Sequence, residues 1–434
     1  MTLDRRALFH GLTGVAALAA FRSDALARVL EAGRAAAGRK APEVATDETY
    51  WAQVADAFQV DRTLINLNNG GCSPAPAHVL DQMIRDLRFS NDIPVYQMWV
   101  VLEPRIESCR QQLAVEFGCD SEEMAITRNA SESLETLISG IDLKPGDEVV
   151  YTTQNYPRMI TSWEQRARRY GIVCKPIQFA VPPPSNAAVV EQFRNAITPR
   201  TRVFEVTHIT NLTGQILPVR DIVRLGREHG IETFVDGAHA FAQFPFKRDD
   251  LECDYYATSL HKWLFAPIGT GFLYVRKEKQ KSIWPLMAAP PSMDENIRKY
   301  EEIGTHPAAN HNAIAAAIVF HRAIGAERKA ARLRYLRDRW AVRLAAADPR
   351  VKILTPLNDT ESCGIALIHV DGIDTEKLQA YLWEKHRIMT TPIVHKEFNG
   401  LRITPSVYTT PAELDTFCAR MEVVLKKGLP AQGT

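Results

Sequence analysis

The stretch "SLHKWLF" places Lys262 directly after His261 and directly before Trp263 and Leu264. An ammonium in an apolar run is costly to desolvate. Either the side chain snorkels past the tryptophan, or its amine is not a cation in the working protein. Burial and neighbouring cations lower an amine's pKa and turn it into a nucleophile toward a carbonyl. A carboxylate, Asp236 of "FVDGAHA", stands 26 positions earlier (262 − 236), immediately after three β-formers and with His239 three residues on. There it caps a helix or, by a charge-assisted hydrogen bond, holds a protonated pyridine nitrogen. "ITRNASESL" ends a β-rich run with Asn129 and opens a helical pattern at Ala130 and Ser131. The free N–H groups and macrodipole of such a helix start suit a phosphate. "THITNLTG" ends another run with Asn211.

These groups need a scaffold that brings strand ends together. From about residue 120, short runs rich in Val, Ile, Tyr, Phe and Thr alternate with helical patterns: "EMAITRN", "DEVVYTT", "IVCKPIQF", "RVFEVTHIT", "IETFVD", "CDYYATS" and "TGFLYVR". Seven such runs with helices between them predict an α/β fold with a mostly parallel sheet covered on both faces. Ligands in such sheets bind beyond the carboxyl ends of the strands, where Asp236, Asn211, Asn129 and Lys262 fall. After residue 310 a long alanine-rich helical stretch (312–347) precedes a smaller strand–helix mixture. The expected organisation is a leader (1–27), an N-terminal arm (28–60) and a large α/β domain (61–310). A small C-terminal α+β domain (311–434) completes it, with the arm packing on this smaller domain. "RAAAGRKAPEVATDE" (34–48) reads as a mobile segment within the arm.

Phosphate site, pyridine partner and imine-forming lysine together describe pyridoxal 5′-phosphate (PLP). Over residues 60 to 420 the sequence resembles the class V aminotransferases of PLP fold type I, especially the isopenicillin N epimerase-like branch. The resemblance implies that Lys262 carries the cofactor, with Ser259 and His261 on its phosphate. Asp236 would lie on the pyridine nitrogen and His239 near the phenolic oxygen. "RNASES" is similar to the family's phosphate cup (Asn129, Ala130, Ser131), and Asn211 matches an asparagine that approaches the ring oxygen. Tyr156 of "TTQNYPRM" stands where an aromatic ring or histidine stacks on the cofactor. "EIGTH" resembles an element that reaches the phosphate from the second subunit of a homodimer with shared sites, which implicates Thr305. Arg402 of "GLRITPSVY" matches the arginine that grips a substrate α-carboxylate. "LNNGGCSP" (67–74) resembles the glycine-bearing segment that lines the site.

The motifs do not choose among the reactions that share a stabilised Cα carbanion. They leave open an aminotransferase or epimerase acting on an amino acid or peptide-like amine, a C–S or other β-lyase, and a silent PLP-fold binding protein. Keeping both Lys262 and Asp236 argues against the last. Family desulfurases need a cysteine on a loop before the carboxylate-binding arginine, and "RIMTTPIVHKEFNGLR" has none. His395 and Lys396 occupy that loop, facing either substrate or solvent.

The 434 residues carry a net charge of +1, so no global field favours nucleic acid or a membrane surface. The basic cluster "ERKAARLRYLRDRW" (327–340) reads as the wet face of an amphipathic helix. Seven cysteines, widely spaced and without CxxC, argue against a disulfide framework or zinc site. The N-terminal "LDRRALFHGLTGVAALAAFRSDALA" has paired arginines, a short apolar run and a small-residue end at Ala27. That is the layout of a twin-arginine export signal, with Asp4 and Leu8 departing from the consensus. The expectation is a periplasmic protein without stable membrane anchoring; a retained N-terminal helix on a cytoplasmic protein is the alternative. An export route for folded molecules suits an enzyme loaded with cofactor beforehand. The family's exported members in pyoverdine maturation extend the resemblance to the tailoring of peptide metabolites.

Overall fold

The computed structural model describes residues 25–430; the expected leader lies outside the described residues except for its last three. Seven strands form one sheet in the order Met124–Thr127, Gly271–Val275, Tyr255–Ser259, Glu232–Asp236, Thr201–Thr207, Glu148–Thr152, Val173–Ile177. Six of the seven lie within the runs read from the sequence, and Thr201–Thr207 begins one residue before its run. The last five are parallel to one another, and Gly271–Val275 alone runs antiparallel to both of its neighbours. The central strands are buried along their length apart from Glu232 at the start of one, as strands covered on both faces must be.

Side chains alternate across the sheet. Val149, Val203, Phe234, Tyr255 and Leu273 meet Leu134, Leu137 and Trp163 of helices Ala130–Gly140 and Pro157–Tyr170. Val150, Phe204, Val206, Val235 and Phe272 meet Leu113, Phe117, Ile222 and Val223 on the other side. Asp236 and Thr207 are partners in register, so both project onto the face covered by helix Ala130–Gly140.

A second, four-stranded antiparallel sheet orders Thr391–Val394, Asn399–Ile403, Ala366–Val370 and Val351–Ile353. Leu336, Trp340, Leu378, Leu414, Phe417 and Met421 cover it. The helical stretch read as continuous over 312–347 is instead Ala308–Asn312, Ile314–Ile324 and Ala326–Ala347. Gly325 breaks it at φ +86°, a conformation that costs a glycine nothing.

The segment read as mobile is helical and packed. Residues 25–35 are helical, followed by Ala41–Ala45 and Glu48–Ala55, with Ala25, Val29, Val44, Trp51 and Val54 buried. Arg332 of helix Ala326–Ala347 donates to Ala45 O (2.9 Å) and to the Glu48 carboxylate, and Tyr50 OH donates to Ile324 O (3.2 Å). Alanine-rich polar composition concealed this, because the anchors are a few large side chains rather than a periodic stripe. Farther along the chain, Phe58 packs on Phe265 of the lysine turn and on Phe320 of helix Ile314–Ile324. Beyond Phe58, Ile65–Asn66 pairs in parallel with Ile388–Met389, after which Gly71 lines the cavity and Ser73 N donates to His261 O (3.1 Å).

Candidate active site

Strand ends and two turns enclose a cavity of about 310 Å³ lined by Asn129, Ala130, Ser131, Tyr156, Asn211, Asp236, His239, Ser259, His261 and Lys262. Ten of the twelve residues singled out in the sequence therefore meet in one place, joined by Gly71, Leu134, Arg158, Thr207 and Ala238.

Strand Tyr255–Ser259 delivers the lysine turn. Trp263, Leu264 and Phe265 are fully buried and seat it against the core, while Lys262 turns back toward the cavity. Lys262 Nζ lies 3.0 Å from His239 Nε2. Burial lowers this amine to about 8; the Arg402 charge adds to the fall and the Asp236 carboxylate opposes it. His239 is held well below its usual range by burial and by the cations of Lys262 and Arg402, so its ring is neutral. Asp236, 4% exposed, accepts from the Ala238 N–H (2.9 Å). Burial raises its pKa against the pull of that bond and of Lys262. His261 packs its Nδ1 3.3 Å from Thr270 O, and burial followed by the Lys262 charge lowers its pKa.

The opposite wall is the start of helix Ala130–Gly140. Asn129 is its N-cap, its side chain accepting from Glu132 N (2.8 Å), and Ala130 N donates to Ser259 Oγ (3.0 Å). This close seat needs Gly271 behind it: a Cβ there would come within 2.6 Å of Thr258 O and 2.7 Å of Asn129 Cα. Tyr156 enters from the N-cap of helix Pro157–Tyr170.

Two expected residues do not line the cavity. Thr305 is exposed beside Gly304, outside the pocket of its own chain. Arg402 is buried, and its guanidinium already donates to Asn211 O (2.8 Å), Asn68 Oδ1 (2.9 Å) and Thr391 Oγ1 (3.3 Å), leaving Nε buried without a partner. Burial brings it down to about 10. His395 and Lys396 also lie outside the lining: His395 Nε2 is 3.1 Å from Thr153 O and its ring packs on Phe398, while Lys396 is exposed. Thr207 escaped the sequence reading because only the register with Asp236 places it there, and Arg158 because only the start of helix Pro157–Tyr170, two residues past Tyr156, brings it to the cavity. Cys72, coupled electrostatically to Lys262, is kept a thiol by burial.

The lining fits pyridoxal phosphate on its own terms. Thr207 Oγ1, Asn211 Oδ1 and His239 Nδ1 are buried polar atoms without hydrogen-bond partners, a cost a polar ligand would relieve. A helix N-terminus faces an acid and an amine across the same cavity, which matches an anionic group, a ring nitrogen and a carbonyl. Among the described residues, no three His, Cys, Asp or Glu side chains gather to hold a metal ion.

The family model for aminotransferase class V matches residues 65–393. Isopenicillin N epimerase of Streptomyces clavuligerus is 28% identical over 391 residues, covering 86% of this chain and 98% of the relative. Among solved structures, the apo cysteine desulfurase of Thermococcus onnurineus NA1 superposes with a TM-score of 0.74 at 22% identity, over 86% of this chain and 98% of that one. A lysine mutant of C-DES with glycine covalently linked to its PLP cofactor gives 0.73 at 23%, over 83% and 97%. Since the family match takes in both the seven-stranded sheet and the strands of the four-stranded sheet as far as Ile393, the chain belongs to the class V aminotransferase family and is a pyridoxal phosphate-dependent enzyme.

Proposed function

We propose that this enzyme works at the Cα of an amino acid or peptide-like amine, moving the Cα proton as an epimerase or aminotransferase does. The observation that carries the reading is the pair of nitrogens 3.0 Å apart, Lys262 Nζ and His239 Nε2, both held toward their neutral forms by burial. With a pKa of about 8, about one Lys262 amine in ten is a free base at pH 7, near the optimum for general-base catalysis. Bound pyridoxal phosphate supplies an electron sink for charge developing at Cα. Asp236, buried opposite, would hold the ring nitrogen; the start of helix Ala130–Gly140, with Ser259 and His261, would hold the phosphate; and Asn211 and His239 would orient the ring oxygen. Lys262 takes the Cα proton and returns it, and the neutral His239 beside it orients the amine at 3.0 Å. Arg402, withdrawn from solvent, would meet a substrate carboxylate through its unpartnered Nε.

The likeness to isopenicillin N epimerase over nearly the whole chain supports Cα chemistry. Cysteine desulfurases are similar in sequence as well as in fold, at 25% identity over 74% of this chain for that of Haloferax volcanii, but Cys72, the cysteine beside Lys262, is a half-buried thiol rather than a thiolate nucleophile. A second copy of the chain would complete the site: Thr305 is exposed, and Ile93, Val95, Tyr96, Trp99 and Val100 form an exposed apolar strip suited to such a contact. The arginine pair and small-residue end of the leader support delivery to the periplasm; cell fractionation with and without Arg5 and Arg6 replaced tests it.

The deciding experiment incubates the enzyme with amino-acid and peptide amine panels in D2O, with and without a keto-acid acceptor. Deuterium at Cα with scrambled chirality identifies an epimerase, and acceptor consumption a transaminase. Release of pyruvate or sulfide without Cα exchange overturns the proposal in favour of a β-lyase.

A further inference from the structure

A second buried carboxylate lies behind Asp236. Glu205, fully buried on strand Thr201–Thr207, sits two residues before Thr207 and so projects onto the same sheet face. A buried carboxylate without partners would be expensive, and both oxygens of Glu205 are taken. Oε1 accepts from Asn155 Nδ2 (2.9 Å), and Oε2 accepts from Trp163 Nε1 of helix Pro157–Tyr170. Asn155 closes the turn that leads into Tyr156. Its Oδ1 accepts from Thr152 N (3.1 Å) and Thr152 Oγ1 (2.7 Å), and its own N–H donates to Thr152 O (3.0 Å). The chain of bonds thus runs from a carboxylate in the sheet, through one amide, to the residue before the aromatic ring that lines the cavity. Trp163 ties the same carboxylate to the helix that Tyr156 caps.

We propose that Glu205 is a positioning residue for Tyr156: its two-armed grip on Asn155 and Trp163 fixes the turn and the helix start that together aim the ring into the cofactor cavity. The inference rests on the reading of Tyr156 as the cofactor-facing ring. It also explains why the chain keeps a carboxylate where a hydrophobic residue would pack more cheaply. Only an ionised carboxylate offers acceptors to both donors without a competing proton. Burial raises the Glu205 pKa to about 7, with the Asp236 and Glu135 charges adding and the two hydrogen bonds opposing. The other groups facing it are the Tyr151 hydroxyl, on which its charge acts, and the neutral Asn155 and Trp163. The grip is therefore complete above pH 7 and loosened below it.

The full-length protein is stripped of cofactor and titrated with pyridoxal phosphate between pH 6 and 8.5, as wild type, Glu205→Gln, Asn155→Ala and Tyr156→Leu. Unfolding temperatures of each variant are followed in parallel. We expect Glu205→Gln to weaken cofactor affinity about tenfold at pH 8, and the gap from wild type to close toward pH 6. Its unfolding temperature should not fall, because a buried charge has been removed. Asn155→Ala should weaken affinity at every pH. A readout without cofactor comes from Trp163: the fluorescence difference between wild type and Trp163→Phe should titrate near pH 7 and lose that titration in the Glu205→Gln background. If Tyr156→Leu weakens binding while Glu205→Gln leaves affinity and its pH profile unchanged, the positioning role is overturned. If Tyr156→Leu leaves affinity unchanged, the cofactor-facing reading beneath it fails instead.

Discussion

Replacing Lys262 by Met should make the cofactor-free protein more stable. The amine sits at about 8 rather than 10.5, chiefly because burial penalises its charge. At about 1.36 kcal/mol per pH unit, that displacement corresponds to about 3.4 kcal/mol against the folded ammonium at neutral pH. Two terms reduce the gain. The contact with His239 Nε2 at 3.0 Å is worth about 1 kcal/mol, and partial access through the cavity mouth screens the charge. Met keeps the length of the aliphatic stem and leaves no large void. A net gain of about 2 kcal/mol follows, or about 2 °C in unfolding temperature for a chain of this size. The sign with pH is also fixed. A lysine whose folded pKa is depressed binds fewer protons folded than unfolded between 8 and 10.5, so wild-type stability rises with pH across that window. The advantage of Lys262→Met should be full below pH 8 and vanish by about pH 10.5. Thermal unfolding of both apoproteins at pH 7 and pH 10 reads it. A variant less stable than wild type at pH 7, or a difference independent of pH, would refute a lysine held in the fold at a cost.

Gly271→Ala would drive a Cβ to 2.7 Å from Asn129 Cα. The start of helix Ala130–Gly140 must then shift, and cofactor affinity should fall at least about tenfold, with a loss of about 1–3 kcal/mol in stability; equilibrium titration and thermal unfolding check both. Arg402→Lys keeps the charge but cannot reach Asn211 O, Asn68 and Thr391 together. If the guanidinium also holds the substrate carboxylate, KM for carboxylate-bearing amines should rise about 10- to 100-fold while KM for the matching amides changes little. Lys262→Ala should abolish the visible band of lysine-bound cofactor, while Cys72→Ser should keep it and retain turnover.

What the sequence shows and what it hides follow from how far each residue's environment extends along the chain. The inner strands were readable because strands buried on both faces are written as continuous β-branched and aromatic runs, "RVFEVTHIT" being the plainest, whereas the edge strand Val173–Ile177 is half-exposed. Asp236, Asn211, Asn129 and Lys262 were readable because Asp236 ends its strand and the others follow theirs within four residues, and parallel strands put such positions at one edge. Thr207 was not, since its role depends on which strand pairs with Glu232–Asp236. The state of Arg402 was not either. Its motif is local, but the groups that hold it come from Asn68, Asn211 and Thr391, the first 334 positions away. Asn155 and Glu205 are 50 positions apart and read alone as a turn residue and an oddly placed acid.

Thr305 marks a different boundary. The residues around it are local and legible, yet it is exposed and does not line the cavity its own chain encloses. If it serves the phosphate, it serves that of another copy, and the apolar strip from Ile93 to Val100 is the surface on which that copy would sit. Charging the strip gives the test: Trp99→Glu with Val100→Lys should shift sedimentation from dimer to monomer, and Thr305→Ala should weaken cofactor binding only where the dimer forms. A monomeric wild type that binds cofactor tightly would leave Thr305 without a role in the site. The ten lining residues would then be the whole of the site's legible chemistry.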